Sequence, residues 1–365
     1  KKSYIYSFLN CNNFMFTLSI KKKQFSDLLN LVHGVFYPLK NFVNKKEFIR
    51  ILKKNSFKKF FFSYPVFFGL SKEDYNKIKD KKEIFLSFEK KKLCKIYIKN
   101  FFQIEKRSFG KIIYGKNFKR HPYYKSFEKE NYKFISFDFK KIYRVNLKSK
   151  NFVSPSDFKK KLKTIKKNKF LAGFHTRNVP HKAHQWIHIQ MLKKYQRVLV
   201  QPLLGQYKNK EYKDNIIIKT NKLALKNNNN NNVFYAPLFS YPRYAGPKEA
   251  GLHAIIRRNF GCTHFWVGRD HAGYKNFFKN YESQIFCKKN ENKLKIKIIS
   301  EPEPFYCKGC NEIKNSQCNY PKCKNIKKVK ISGTKIRKLL IQKKKIPEYL
   351  MDSRISKKLS VKSIL

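Results

Sequence analysis

The stretch Phe170-Leu-Ala-Gly-Phe174-His-Thr-Arg-Asn178-Val-Pro-His181-Lys-Ala-His184 decides how this chain is read. Phe170 to Phe174 is a short apolar run of strand length, a polar turn follows, and a helix-like stretch runs from His181 to Lys194. Arg197-Val-Leu-Val200 reads as a second strand and Thr263-His-Phe-Trp-Val-Gly268 as a third. Strands alternating with helices predict an α/β domain with a mainly parallel sheet. A helix that begins straight after a strand exposes unpaired N–H groups and the positive end of its dipole, a setting that suits phosphate. His181 and His184 are three residues apart, so on a helix they share a face. Arg177 offers a planar fork for phosphate or sulfate oxygens. Taken alone, His-x-x-His at a helix start also fits ordinary core or surface histidines. With Arg177-Asn178 and the strand before it, the segment points to anion binding.

Outward from there, 365 residues fit two to three domains, and 41% apolar with 16% aromatic residues supply a sizeable core. That aromatic content argues against full disorder. No run of 18 apolar residues occurs, so no membrane-spanning helix is expected. Lys and Arg number 84 against 23 Asp and Glu, a formal charge of +61. Such a balance suggests nucleic acid. Lys, Asn, Ile, Phe and Tyr are abundant together, however, and share AT-rich codons. The Lys runs, such as 21–23 and 343–345, are scattered. Codon drift is therefore the first reading, with a nucleic-acid surface or attraction to small anions as alternatives. The sequence opens on Lys1, which leaves its true start open. Asn10, Cys11, Asn12 and Asn13 break the first apolar run, so no signal peptide is read there. A cytoplasmic protein is expected.

Residues 1–150 show short aromatic runs, Phe60-Phe61-Phe62, Val66-Phe67-Phe68 and Ile96-Tyr97-Ile98, separated by Lys, Asn and Gly. They predict a β-rich domain with a few helices, one around 45–53. A catalytic α/β domain is expected over 151–326 and a small helical segment over 327–365, with two short helices around Pro347. Asn227 to Asn232 read as a lengthened surface loop. Cys307, Cys310, Cys318 and Cys323 form two short-spaced pairs, a tetrahedral zinc pattern of the structural kind. The alternative is a set of unmetallated thiols. Cys11, Cys94, Cys262 and Cys287 have no ligand spacing.

The opening segment resembles the Gln-x-Arg-Asn-x-x-His-x-x-His signature of ATP sulfurylases, which are sulfate adenylyltransferases of the His-x-Gly-His-type nucleotidyltransferases. Four further blocks are similar in order: Val200-Gln-Pro-Leu-Leu-Gly205, Tyr241-Pro-Arg-Tyr-Ala-Gly-Pro-Lys-Glu-Ala250, Gly268-Arg-Asp-His-Ala-Gly273 and Ile331-Ser-Gly-Thr-Lys-Ile-Arg337. Looser likeness runs through Gly34-Val-Phe-Tyr-Pro-Leu39, Phe109-Gly110 and His121-Pro122. The resemblance implies a Rossmann-like catalytic domain behind a PUA-like N-terminal domain. It also implies the reaction ATP + sulfate = adenylyl sulfate (APS) + pyrophosphate, by direct attack of sulfate on the α-phosphorus. That serves sulfate assimilation or, reversed, sulfur oxidation. No side-chain nucleophile is then needed; positioning and charge stabilisation are.

By motif position, Arg177 would hold sulfate, Asn178 the phosphate chain, and His181 and His184 the departing pyrophosphate. Thr176 lies in the same turn. Arg269 would add charge at the phosphates, Gly268 would allow close approach, and the Ala272 N–H would touch sulfate, while Asp270 and His271 shape the loop. Ser332, Thr334 and Arg337 would stand on the nucleotide side, although Ser332 is equally read as a helix cap. His175 stands where the family's familiar form has Gln; either donates to sulfate, but the pH dependence of anion binding changes. Val179-Pro180 reverses the family's order, and Pro in a first helical turn is tolerated. Some bacterial relatives carry a similar cysteine element with His in place of Cys323. Mg2+ is expected with ATP, a homodimer by family likeness, and nonspecific nucleic-acid contact from the basic charge. No P-loop follows the last motif, so no fused APS kinase domain is expected. The competing reading is a basic nucleic-acid-binding protein of this fold with its catalysis lost.

Overall fold

The structure is a computed structural model that describes residues 15–143, 145, 152–163, 170–205, 211–226, 232–316, 323 and 328–364. The Asn tract up to residue 231, Cys11 and Cys318 lie outside the described residues.

The N-terminal unit opens with β1 (Thr17–Ser19), α1 (Lys22–Val32), α2 (Lys45–Lys54), β2 (Ser56–Phe57), β3 (Phe60–Phe61), β4 (Phe68–Leu70) and α3 (Lys72–Ile78). It continues with β5 (Glu83–Phe88), β6 (Lys91–Phe102), α4 (Lys106–Tyr114), α5 (Pro122–Glu130) and β7 (Lys133–Ile142). A five-stranded sheet in the order β1-β5-β6-β7-β4 carries it. The helix expected around 45–53 is α2, held by a capping box in which Asn44 and Glu47 satisfy each other's backbone N–H groups. Aromatic runs spaced by Lys become strands because alternate residues point to the core: β6 buries Cys94, Ile96 and Ile98 while Lys95 and Tyr97 stay partly or fully exposed.

After α6 (Pro155–Lys163), the second sheet begins with β8 (Leu171–Thr176), α7 (Lys182–Tyr195), β9 (Arg197–Leu204), α8 (Asp214–Lys226), β10 (Val233–Tyr235) and β11 (Leu238–Phe239). It is completed by α9 (Gly246–Asn259), β12 (His264–Trp266), α10 (Glu282–Lys289), α11 (Glu291–Leu294) and β13 (Lys297–Ile299). Its order is β10-β9-β8-β12-β13, with β11 beside β9, and every pair is parallel. All eight residues of β9 are buried, as a parallel strand covered on both faces requires. The chain moves outward from β8 to β9 and β10, then crosses back to β12 and β13 on the other side. The strand order therefore reverses between β8 and β12, and in open α/β sheets ligands bind outside the carboxyl ends at that point.

Beyond it, β14 (Phe305–Cys307), β15 (Glu312–Lys314) and β16 (Lys328–Lys330) form a small antiparallel sheet, before α12 (Gly333–Ile341) and α13 (Ser353–Ser356). The last two are the short helices expected around Pro347. The two helices and the segment between them pack Ile336, Leu340, Leu350 and Ile355 against Val179, Ala183 and Ile217. The two sheets share one continuous core, in which Phe36 and Phe48 join Leu199, Ala250 and Phe265. Asn259 also donates to the carbonyls of Val35 and Tyr37, at 2.9 and 2.8 Å. Among the described residues no helix is long and apolar enough to cross a membrane.

Candidate active site

β8 and β12 end side by side, so the residues following each face one crevice. At the end of β8, Thr176 Oγ1 accepts the Asn178 N–H at 3.1 Å, closing the turn. The Arg177 guanidinium lies 4.3 Å over the Tyr244 ring, a contact that holds its fork before any ligand arrives. Tyr244 hydrogen-bonds Glu211 and packs at 4.4 Å against Tyr123 of α5. The N-terminal unit thus forms one wall of the crevice. His121 adds to it, packing 4.6 Å from Phe277 and 5.3 Å from Tyr274.

His181 is the N-cap of α7, its Nδ1 accepting the His184 N–H at 3.4 Å. Pro180 therefore lies just outside the helix, rather than in its first turn as expected from sequence, because the imidazole takes the capping role. The His181 and His184 rings stack at 3.6 Å, on one face as their spacing predicts. Burial, with Arg337 adding to it, pulls His181 down to about 4, and burial holds His184 well below the usual range. Both are neutral at pH 7, so in the free protein they offer hydrogen bonds rather than charge. His188, one turn on, was missed from sequence: it is buried, is held at about 3 by burial, and its Nε2 has no hydrogen-bond partner among the described residues. Its i+4 spacing from His184 was the available signal.

The C-terminal motif comes to the same place. Arg337 Nη1 donates to Asn178 Oδ1 at 2.6 Å across 159 residues of chain, and Nη2 reaches Thr334 Oγ1 at 3.4 Å. Ser332 caps α12 by accepting the Lys335 N–H, as the cap reading expected. A Cβ on Gly333 would come within 2.9 Å of the Asn178 amide, so a side chain there would push that amide from its place beside Arg337.

In the loop after β12, Arg269 pairs with Glu303 at 2.8 Å and donates to Asn280 at 2.6 Å. Its charge is thus partly offset. Gly268 faces open space, whereas a Cβ on Gly273 would strike the Asp270 carboxylate at 1.9 Å; the second glycine serves the loop itself. Ala272 sits at φ +56°, a left-handed conformation costing an alanine about 1 kcal/mol. Its carbonyl accepts the Gly246 N–H at 3.0 Å, which holds the strained turn. Strain of this kind clusters where a backbone group must be aimed. His271 turns inward and bonds His253 at 2.9 Å, a loop-shaping position. His175 lies beside both, with ring centroids 4.2 Å from His253 and 5.2 Å from His271.

Within Tyr241 to Ala250 the best-conforming residues serve structure. Arg243 pairs with Asp27 of α1 at 2.5 Å, both side chains nearly inaccessible, and Glu249 accepts the N–H groups of Arg243 and Ala245 at 2.8 and 3.0 Å.

Two groups among the described residues bring three side chains of metal-ligand type together: His175, His253 and His271, and Cys307, Cys310 and Cys323. In each, the donor atoms lie within 4.8 Å of one another. The backbone N–H of Cys310, with that of Gly309 and against the effect of burial, draws the Cys307 thiol down to about 7. A half-ionised thiol is what metal binding needs.

Comparison with known proteins agrees with this arrangement. The ATP-sulfurylase family matches residues 149–361, and a PUA-like domain matches residues 7–136. The chain is 30% identical over 342 residues to a sulfate adenylyltransferase of Ignicoccus hospitalis, covering 91% of this chain and 86% of that one. It is 30% identical to those of Pyrococcus abyssi (89% and 85% covered) and Carboxydothermus hydrogenoformans (94% and 91%). Among solved structures, a hexameric APS kinase from Thiobacillus denitrificans superposes with a TM-score of 0.71 at 14% identity. That match covers 94% of this chain and 62% of the other, and it shows a shared fold. The parallel sheet with its reversed strand order, the three motifs gathered at that reversal and these relatives agree: the chain belongs to the ATP-sulfurylase family.

Proposed function

We propose that the chain is a sulfate adenylyltransferase acting at the crevice between β8 and β12. A sulfate oxygen attacks the α-phosphorus of ATP, the new S–O–P bond forms as the bond to the β-phosphate oxygen breaks, and pyrophosphate leaves. The observation that carries this is the Asn178–Arg337 hydrogen bond, which brings the first and last motifs together beside the Gly268–Gly273 loop. Arg177, held over Tyr244, and the Ala272 N–H, with His175 beside them, hold sulfate. Asn178, Ser332, Thr334 and Arg337 hold the nucleotide. Neutral His181 and His184 donate hydrogen bonds to pyrophosphate and gain from protonation only as its charge develops. Arg269 exchanges part of its Glu303 pairing for phosphate oxygens. Mg2+ enters with ATP as part of the substrate.

Zinc is proposed for Cys307, Cys310 and Cys323, with Cys318 as the fourth ligand implied by the spacing. Four thiolates leave no open position, so the ion's part is structural. A cytoplasmic homodimer belongs to the same proposal. The reading of a nucleic-acid-binding protein with lost catalysis gains no support at a site whose motif residues are assembled together.

The test is ATP formation from APS and pyrophosphate. Wild-type protein forms ATP, and Arg177→Ala loses at least about 100-fold in kcat/KM, the scale of removing a charged donor from a polar transition state. Absence of ATP formation by folded wild-type protein overturns the proposal.

A further inference from the structure

Arg257, on α9, is completely inaccessible to solvent. Among the described residues no carboxylate comes within ion-pair distance of it, and its Nε has no hydrogen-bond partner. Burying a guanidinium without a counter-ion is costly, so its position calls for a reason. Its stem crosses β8 where Gly173 leaves room, since a Cβ there would meet Arg257 Cγ at 2.7 Å. Beyond that crossing, Nη1 donates to the His253 carbonyl at 3.4 Å and Nη2 reaches Nδ1 of His175 at 2.5 Å.

A guanidinium has donors and no acceptor. The nitrogen facing it must present a lone pair, and a neutral imidazole then carries its one proton on the other nitrogen. We infer that Arg257 is a positioning residue that fixes the His175 proton on Nε2 and keeps this ring a neutral hydrogen-bond donor to the sulfate. In this way a histidine supplies what a glutamine amide supplies in the family's familiar motif. The inference rests on the proposed sulfate site and assigns how that site is tuned.

The groups facing His175 agree. Arg257 and His253 approach from α9, His271 from the loop after β12, and Arg177 follows in the same turn; Glu249 lies one shell out, 3.6 Å from His253. Burial first, then these cationic and imidazole neighbours, hold His175 well below the usual histidine range. The same geometry argues against a metal among the three histidines. The Nδ1 lone pair is already engaged, Nε2 bears the proton, and a fixed positive charge stands beside the ring.

The direct test is a long-range 1H–15N correlation spectrum of 15N-histidine-labelled protein at pH 7, with His175 assigned from its loss in His175→Gln. The expected pattern is an unprotonated Nδ1 and a protonated Nε2. The opposite tautomer, or an imidazolium, overturns the inference whether or not the protein is active, which separates this failure from failure of the proposed reaction. Kinetics form the second arm. In wild type, KM for sulfate is flat between pH 5.5 and 8.5. His175→Gln stays within about 3-fold of wild type, while His175→Ala raises KM about 10-fold or more, the worth of one hydrogen bond to a charged group. Arg257→Met removes the donor that fixes the tautomer, so Nδ1 loses its unprotonated signature and KM for sulfate rises about 5-fold or more, while adding His175→Gln, whose amide needs no such partner, cancels that rise. An unchanged KM and tautomer in folded Arg257→Met, or a rise in KM that survives His175→Gln, overturns the inference. Should Arg257→Met fail to fold, the spectrum of the wild-type protein still decides.

Discussion

At the scale of the residue, motif membership and chemical role part company. Arg243 and Glu249 sit in a block that matches the family closely, yet both face inward and serve the turn and its tie to α1. Asp27, in a stretch with no motif, is the partner that makes Arg243 tolerable in the interior. Asp27→Asn keeps the shape and removes the charge, leaving a buried guanidinium uncompensated. The expected loss is about 3–5 kcal/mol of unfolding free energy, read from the urea midpoint at constant slope. A shift below about 1 kcal/mol would mean that the pair contributes little. Arg257 was invisible in the sequence: a lone arginine on a helix carries no spacing signal, and only neighbours distant in sequence give it a role.

At the scale of the element, local chemistry is far more legible. The spacing of the first two cysteines puts Cys307 at the end of β14 and Cys310 in the turn to β15, and Cys323 meets them from the following segment. A hairpin with three short strands has too little apolar surface to hold itself together, and metal ligation is the usual remedy. The protein as purified is expected to carry about one zinc per chain by elemental analysis, the stoichiometry of a four-ligand site. Dialysis against a strong chelator should remove it and lower Tm by several degrees, and Cys307→Ser should do the same without chelator. Metal content near zero in native wild-type protein would instead favour unmetallated thiols. The turn after β8 was similarly legible, except that Pro180, read as part of the first helical turn, lies outside it because His181 caps the helix. Periodicity sets where a helix runs, but side-chain geometry sets its first residue.

At the scale of the whole molecule, the buried histidines matter together. His181 is depressed to about 4, His188 and His271 to about 3, and His175, His184 and His253 well below the ordinary value, burial being the first cause in each. A histidine whose folded pKa lies below its unfolded value of about 6.5 takes up a proton on unfolding. Its contribution is therefore present above pH ~6.5 and is lost as pH falls toward the folded values near 3–4. Stability should be level from pH 8 to 7 and fall by several kcal/mol between pH 6.5 and 4.5, followed as urea midpoints. His188→Gln, which removes one titrating group away from the sulfate, should make that fall shallower. A midpoint independent of pH over this window would contradict the buried, neutral state of these rings. The +61 charge acts in the same direction, since further protonation adds to self-repulsion.

The sequence by itself determined the alternation of strand and helix from residue 170 onward, the family motifs and the cysteine pattern. Each of these is written in residues close together, where periodicity and spacing are the physics. Tertiary structure alone decided that β8 and β12 are neighbours with the strand order reversing between them, and that Arg337 reaches Asn178. It also decided that Tyr123 of the N-terminal unit walls the crevice and that Arg257 crosses β8 at Gly173 to reach His175. Those are contacts between segments separated by tens to hundreds of residues. They are fixed by the packing of one shared core, which no local pattern encodes.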